Sequence, residues 1–144
     1  MAMDADPFHL ARFVAAQDAG QTYAHALDEL RRGRKTSHWM WFVFPQIAGL
    51  GHSHMSMTYA IGSLDEARAY LRHPVLGPRL LECTAVVADS AAPSAEHLFG
   101  SIDAQKLRSS MTLFLRADPT QPLFQRVLDR YFDGQPDPAT DHRL

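Results

Sequence analysis

Capping residues, prolines and glycines recur along this chain, and between them the apolar side chains fall at helical spacing. Asp6 followed by Pro7 is a cap-then-proline start, and Phe8, Ala11, Phe13 and Val14 form an apolar side that ends by Gly20. A second helix runs from about Thr22 to Arg32, with Tyr23, Ala26, Leu27 and Leu30 on one face and Gly33 as its stop. Ser63 and Glu66 make a capping box for a helix carrying Ala67, Tyr70 and Leu71. "HPVLGP" then forces a bend, and a longer helix after Pro78 passes through Leu80, Leu81, Thr84, Val87 and Ala88. Ser94 caps the short turn "AEHLF", another helix spans roughly Ile102 to Leu115, and the last runs from Pro122 to Phe132. No alternating apolar-polar run reaches strand length, and no repeat is present. The pattern predicts an all-α fold, a compact single-domain bundle of about six to eight short helices over residues 1–132. Residues 133–144, "DGQPDPATDHRL", read as a polar, proline-rich and loosely held C-terminal tail.

The segment from Trp39 to Phe44 is apolar on every side. Ser37 suits a cap and Pro45 disfavours helical geometry at Phe44, so it reads as a short buried helix. With 144 residues, 46% of them hydrophobic, the chain is long enough for one well-filled core. A net charge of −2 argues against a nucleic-acid or acidic-membrane partner. Cys83 is the only cysteine, which excludes an intrachain disulfide and fits a reducing compartment. The N-terminus shows no secretory signal, and no stretch has the roughly 18 to 20 apolar residues of a membrane span. The expectation is a cytoplasmic monomer.

Three features bear on chemistry. "GRKTS" fails as a phosphate-cradling loop, because Arg34 separates glycine from lysine and Asp28 holds the earlier glycine position. "RRGRK" reads instead as a solvated helix end. His38, His52 and His54 could supply zinc ligands, but their spacing matches no strong motif, so no metal and no cofactor are expected. The helix "IDAQKLRSSMTLFL" turns Leu107, Met111 and Phe114 to the core, and places Asp103, Lys106 and Ser110 among apolar neighbours. Charged groups there must pair or line a wet cavity. One reading is an internal Asp103–Lys106 pair with Ser110 bonded back to the helix; the other is a cationic, hydroxyl-lined pocket for an anion. Ser109 and Arg108 lie at the edge of that arc.

"SHWMWFVFPQ", "GLG", "HPVLGPRL" and "KLRSSMTLF", in this order, resemble the bacterial family catalogued as domain of unknown function 1810. The resemblance runs from "DPFHLARFVAAQ" to "VLDRYFDGQPDP". It implies a compact all-helical domain without an established activity. Members sometimes carry a calpastatin-like label, yet inhibitors of that kind are long disordered repeats, and this chain is 46% hydrophobic. The matching positions include His38, Trp39, Trp41, Phe44, Pro45 and Gln46, then Lys106, Ser109, Ser110 and Thr112, with no role attached to any.

Aromatic walls, a few polar groups and a cation are the usual makings of a small-ligand pocket. The candidate site is therefore His38, Trp41 and Gln46 on an aromatic wall, facing Lys106, Ser109 and Ser110 on an anion-binding helix. If it is catalytic, His38 is the candidate acid or base. The alternative is a protein-docking patch on the same surface.

Overall fold

The computed structural model describes residues 5–144, and the start and stop signals in that span act as their local chemistry requires. Met1–Asp4, part of the stretch read as lacking a secretory signal, lie outside the described residues. Asp6 accepts from the backbone N–H of Leu10 (2.7 Å) and Ala11 (2.9 Å), and α1 follows at Ala11–Asp18. A 3-10 turn at Ala19–Gln21 leads into α2, Thr22–Arg31. Gly33, at φ +82°, closes α2: its N–H donates to Leu30 (3.0 Å) and the N–H of Arg34 to Glu29 (3.1 Å). These bonds satisfy carbonyls that the helix end would otherwise leave open.

The aromatic segment is helical only over α3, Met40–Val43. Serine hydroxyls cap α4 (His54–Thr58, by Ser53), α5 (Leu64–Arg72, by Ser63) and α7 (Ala95–Phe99, by Ser94). In the box at Ser63, Glu66 reaches back to the N–H of Gly62 at 2.9 Å, while its other oxygen holds Arg12 at 2.9 Å. Helix α6, Leu76–Ala88, starts before Pro78 rather than after it. Pro78 falls in the first turn, where a missing N–H costs no intrahelical bond. Gly77 lets α6 approach α5, since a Cβ there would lie 2.2 Å from the Leu71 carbonyl oxygen. The remaining helices are α8 (Ser101–Ala117), α9 (Pro122–Tyr131) and α10 (Pro138–Asp141).

Among the described residues, six helices of eight or more residues are joined by four single-turn pieces, the all-α bundle that the caps and breakers imply. The one departure is an isolated parallel bridge between Ile47 and Ile61. Helix α8 is the central element and packs against α5, α7, α9 and α10. It buries Leu107, Met111 and Phe114 as its spacing predicts. A chain of ring contacts runs from Phe13 through Tyr70 and Phe114 to Phe124, with centroids 5.2, 5.3 and 5.9 Å apart. Each such ring buries a large apolar area and adds about 0.5–1.5 kcal/mol through its neighbour.

The tail is not loosely held. Arg108 donates to the carbonyls of Gln135 (3.0 Å) and Pro136 (2.9 Å), and Arg116 grips Asp141 with two bonds of 2.9 Å. Asp137 and Thr140 are buried against α8. Polar composition misled the reading: these residues hydrogen-bond to a helix instead of water, at little net cost once each is paired.

Candidate functional site

The site begins with Glu29, a buried carboxylate at the end of α2. It accepts from the N–H of Thr36 (2.8 Å), the N–H and Oγ of Ser37 (3.0 and 2.5 Å), and Nε1 of Trp39 (2.9 Å). Burial alone would raise its pKa, but the donors from Ser37, Thr36 and Trp39 outweigh that and bring it down to about 2. Ser37 is thus engaged by Glu29 and does not cap α3, which starts without a side-chain cap. The anchor seats Trp39 in the core and leaves His38 exposed on the bend before α3.

After Pro45 the chain is held by the bridge, in which Ile61 N–H donates to the Gln46 carbonyl and Ala48 N–H to the Ile61 carbonyl, both at 2.8 Å. The loop that follows reaches the C-terminus, where Arg143 Nη2 donates to the Gly49 carbonyl at 3.0 Å. Between this loop, α8 and the segment before α10 lies a cavity of about 430 Å³. Gln46 and Leu50 line it from the loop, Gln105, Lys106 and Ser109 from α8, and Asp137 from the C-terminal segment.

Two charged groups dominate the cavity. Asp137 Oδ2 accepts from Ser109 Oγ (2.8 Å) and Thr140 Oγ1 (2.7 Å), and its backbone N–H donates to Thr112 Oγ1 (2.8 Å). Lys106 Nζ lies 5.5 Å from the Trp41 ring centroid, within reach of a cation–π attraction. Its nearest carboxylate is Asp103 Oδ1, at 3.8 Å. Asp103 is held more closely by Lys35, whose Nζ is 2.8 Å from Oδ2 and 5.0 Å from the Trp39 ring centroid. Lys35 is therefore a buried, paired cation rather than part of a solvated helix end, and Asp103 is not the private partner of Lys106.

Of the residues singled out from sequence, Gln46, Lys106 and Ser109 meet at the cavity, and Trp41 stands beside it against the Lys106 ammonium. Ser110 is fully buried, and its Oγ has no hydrogen-bond partner among the described residues. It does not bond back to the helix, as one of the two readings had it; Ser109 Oγ instead has the Gln105 carbonyl at 3.2 Å. His38 is exposed and is not among the residues that line the cavity, and His52 and His54 are exposed. Among the described residues no three His, Cys, Asp or Glu side chains are placed to hold a metal ion.

Asp137, Gln105 and Lys35 were missed. The signal for Asp137 was present: Asp137–Pro138 repeats the cap-then-proline pattern of Asp6–Pro7. Nothing local marks Lys35. Larger cavities lie elsewhere, of about 580 Å³ beside Arg31, Arg32 and His97, and about 930 Å³ along Phe8, Val14 and His73. In the first, Arg32 pairs with Asp28 and Arg31 lies 3.8 Å from Glu82; the second is largely apolar, and two of its polar groups, Asp6 and His73, already accept from backbone N–H groups.

The fold and this lining define a class, a compact helical protein with a small cavity on its central helix, mostly apolar and edged by a few polar groups. A family model described as a protein of unknown function (DUF1810) matches residues 7–144, and the chain belongs to that family. The crystal structure of the conserved hypothetical protein Rv1873 from Mycobacterium tuberculosis is similar, with a TM-score of 0.93 and 50% identity over 96% of this chain and 98% of that one. Among curated proteins, none matches. No helix among the described residues is long and apolar enough to cross a membrane.

Proposed function

We propose that the cavity binds a small molecule through an anionic group, with Lys106 as the receiving ammonium. The charge arrangement around Asp103 carries this reading. Two ammoniums share one carboxylate there, the closer contact (2.8 Å) belongs to Lys35, and Lys106 remains at 3.8 Å on the cavity side. The Lys106 ammonium lies where Trp41, Gln46, Gln105 and Ser109 supply an aromatic face, amides and a hydroxyl, and Asp137 adds a carboxylate to the same lining. A volume of about 430 Å³ suits a metabolite rather than a macromolecular segment. Ser109 is engaged by Asp137 and His38 does not line the cavity, which supports binding over covalent chemistry there. On this reading the protein works as a cytoplasmic monomer without a cofactor.

A second reading, a protein-docking patch on the same face, is favoured by one observation. Ile102, at the cavity rim, is 73% exposed.

A thermal-shift screen of carboxylated and phosphorylated metabolites separates the two. A ligand at 100 times its dissociation constant adds about 2.7 kcal/mol to stability. The metabolite reading predicts a hit that weakens at least about tenfold in Lys106→Met. No hit, with binding to a protein lost on replacing Ile102, would favour the patch.

A further inference from the structure

Lys106 and Asp137 line the same cavity, yet they do not pair with each other. Opposite charges facing one small space normally close into a contact unless the fold holds them apart. Here it does. Ser109, Thr140 and Thr112 fix Asp137, through Oδ2 and its backbone N–H, while Asp103 and the Trp41 ring restrain Lys106. Asp137 Oδ1 takes no hydrogen bond among the described residues, so a buried carboxylate keeps one acceptor free beside the cavity. Lys106 and Ser109 are three residues apart on α8, a rise of about 4.5 Å. Both charges line the cavity, and no ion pair joins them.

We propose that the ligand is a small zwitterion, an amino acid or close relative. Its carboxylate sits on Lys106 and its ammonium donates to Asp137 Oδ1. Leu50 gives its side chain an apolar surface, and Gln46 and Gln105 supply amides at the edges. This deepens the anion reading and rests on it. A ligand carrying only an anion would leave the Asp137 oxygen unmatched and meet a repelling carboxylate. A ligand carrying only an ammonium would meet Lys106 in the same way.

The test is calorimetric titration of the whole protein with each standard amino acid, and with acetate and inorganic phosphate as anions lacking an amine. Every amino acid that binds is then compared with its deaminated acid and its decarboxylated amine. At least one amino acid should bind, and both single-charge counterparts should bind about tenfold more weakly or worse. Lys106→Met and Asp137→Asn should each weaken the amino acid by a similar factor. The comparison of ligands on the unaltered protein needs no variant, so a poorly folded Asp137→Asn does not blunt the test. If acetate, phosphate or the deaminated acid binds as tightly as the amino acid, the zwitterion proposal falls and the anion reading survives. If neither amino acids nor anions bind, both fall.

Discussion

Lys35 Nζ lies 2.8 Å from Asp103 Oδ2, and only 7% of the Lys35 side chain is exposed. A buried pair of this kind is costly to break, because removing one partner strands the other in a poorly solvated place. Lys106, at 3.8 Å and 22% exposed, is a bystander to that pair. Lys35→Met should therefore cost about 1.5–3 kcal/mol, and Lys106→Met less than about 1 kcal/mol. Urea midpoints for both variants, for Asp103→Asn and for the Lys35–Asp103 double variant check this. Strong coupling should appear between Lys35 and Asp103. Strong coupling between Lys106 and Asp103 would show that Lys106 serves the fold.

Glu29 makes acid stability measurable. Its folded pKa of about 2 lies below the ordinary value of 4.5, so its contribution is fully present above about pH 4.5 and is lost as pH falls through about 2. The difference corresponds to about 3 kcal/mol. Wild-type urea midpoints should fall steeply below about pH 4.5, and Glu29→Gln, already less stable at neutral pH, should fall less. Parallel curves for the two proteins would contradict the role of Glu29 as the anchor of residues 36–39.

Asp137 should hold the C-terminal segment down. Ser109→Ala and Thr140→Val each remove one donor from its Oδ2, and each should cost about 1–3 kcal/mol. Limited proteolysis should then cut first between Gly134 and the C-terminus. A chain whose last residues are dispensable would show neither effect.

Much of the fold was legible because its signals are local. Ser63, Ser94 and Gly33 act on backbone groups within a few residues, and the core stripe of α8 follows from helical periodicity alone. The site was half legible for the same reason: Lys106 and Ser109 share a helix face, and Gln46 follows a recognisable aromatic segment. Lys35 and Asp137 become buried only when distant segments pack on them. Local composition, basic around the first and polar around the second, pointed both to solvent. His38 precedes α3: with Ser37 taken by Glu29, the helix starts at Met40 and the imidazole is exposed.

The tryptophans report the local charge. Trp39 is buried and Trp41 is half-buried beside Lys106. Quenching of the emission is therefore read from Trp41, and iodide should quench more strongly than caesium. In Lys106→Met the advantage of iodide should shrink. An iodide preference unchanged by the substitution would place the attracting charge elsewhere.

The most direct measurement is a backbone-resolved NMR titration of the wild type and Lys106→Met with acetate and with inorganic phosphate. Lys106 as an anion-receiving ammonium predicts saturable shift changes clustered at Gln46, Leu50, Lys106, Ser109 and Asp137, and their loss in the variant. Saturable changes centred on Arg31, Arg32 and His97, or a cluster at Lys106 that survives its replacement by methionine, would contradict it.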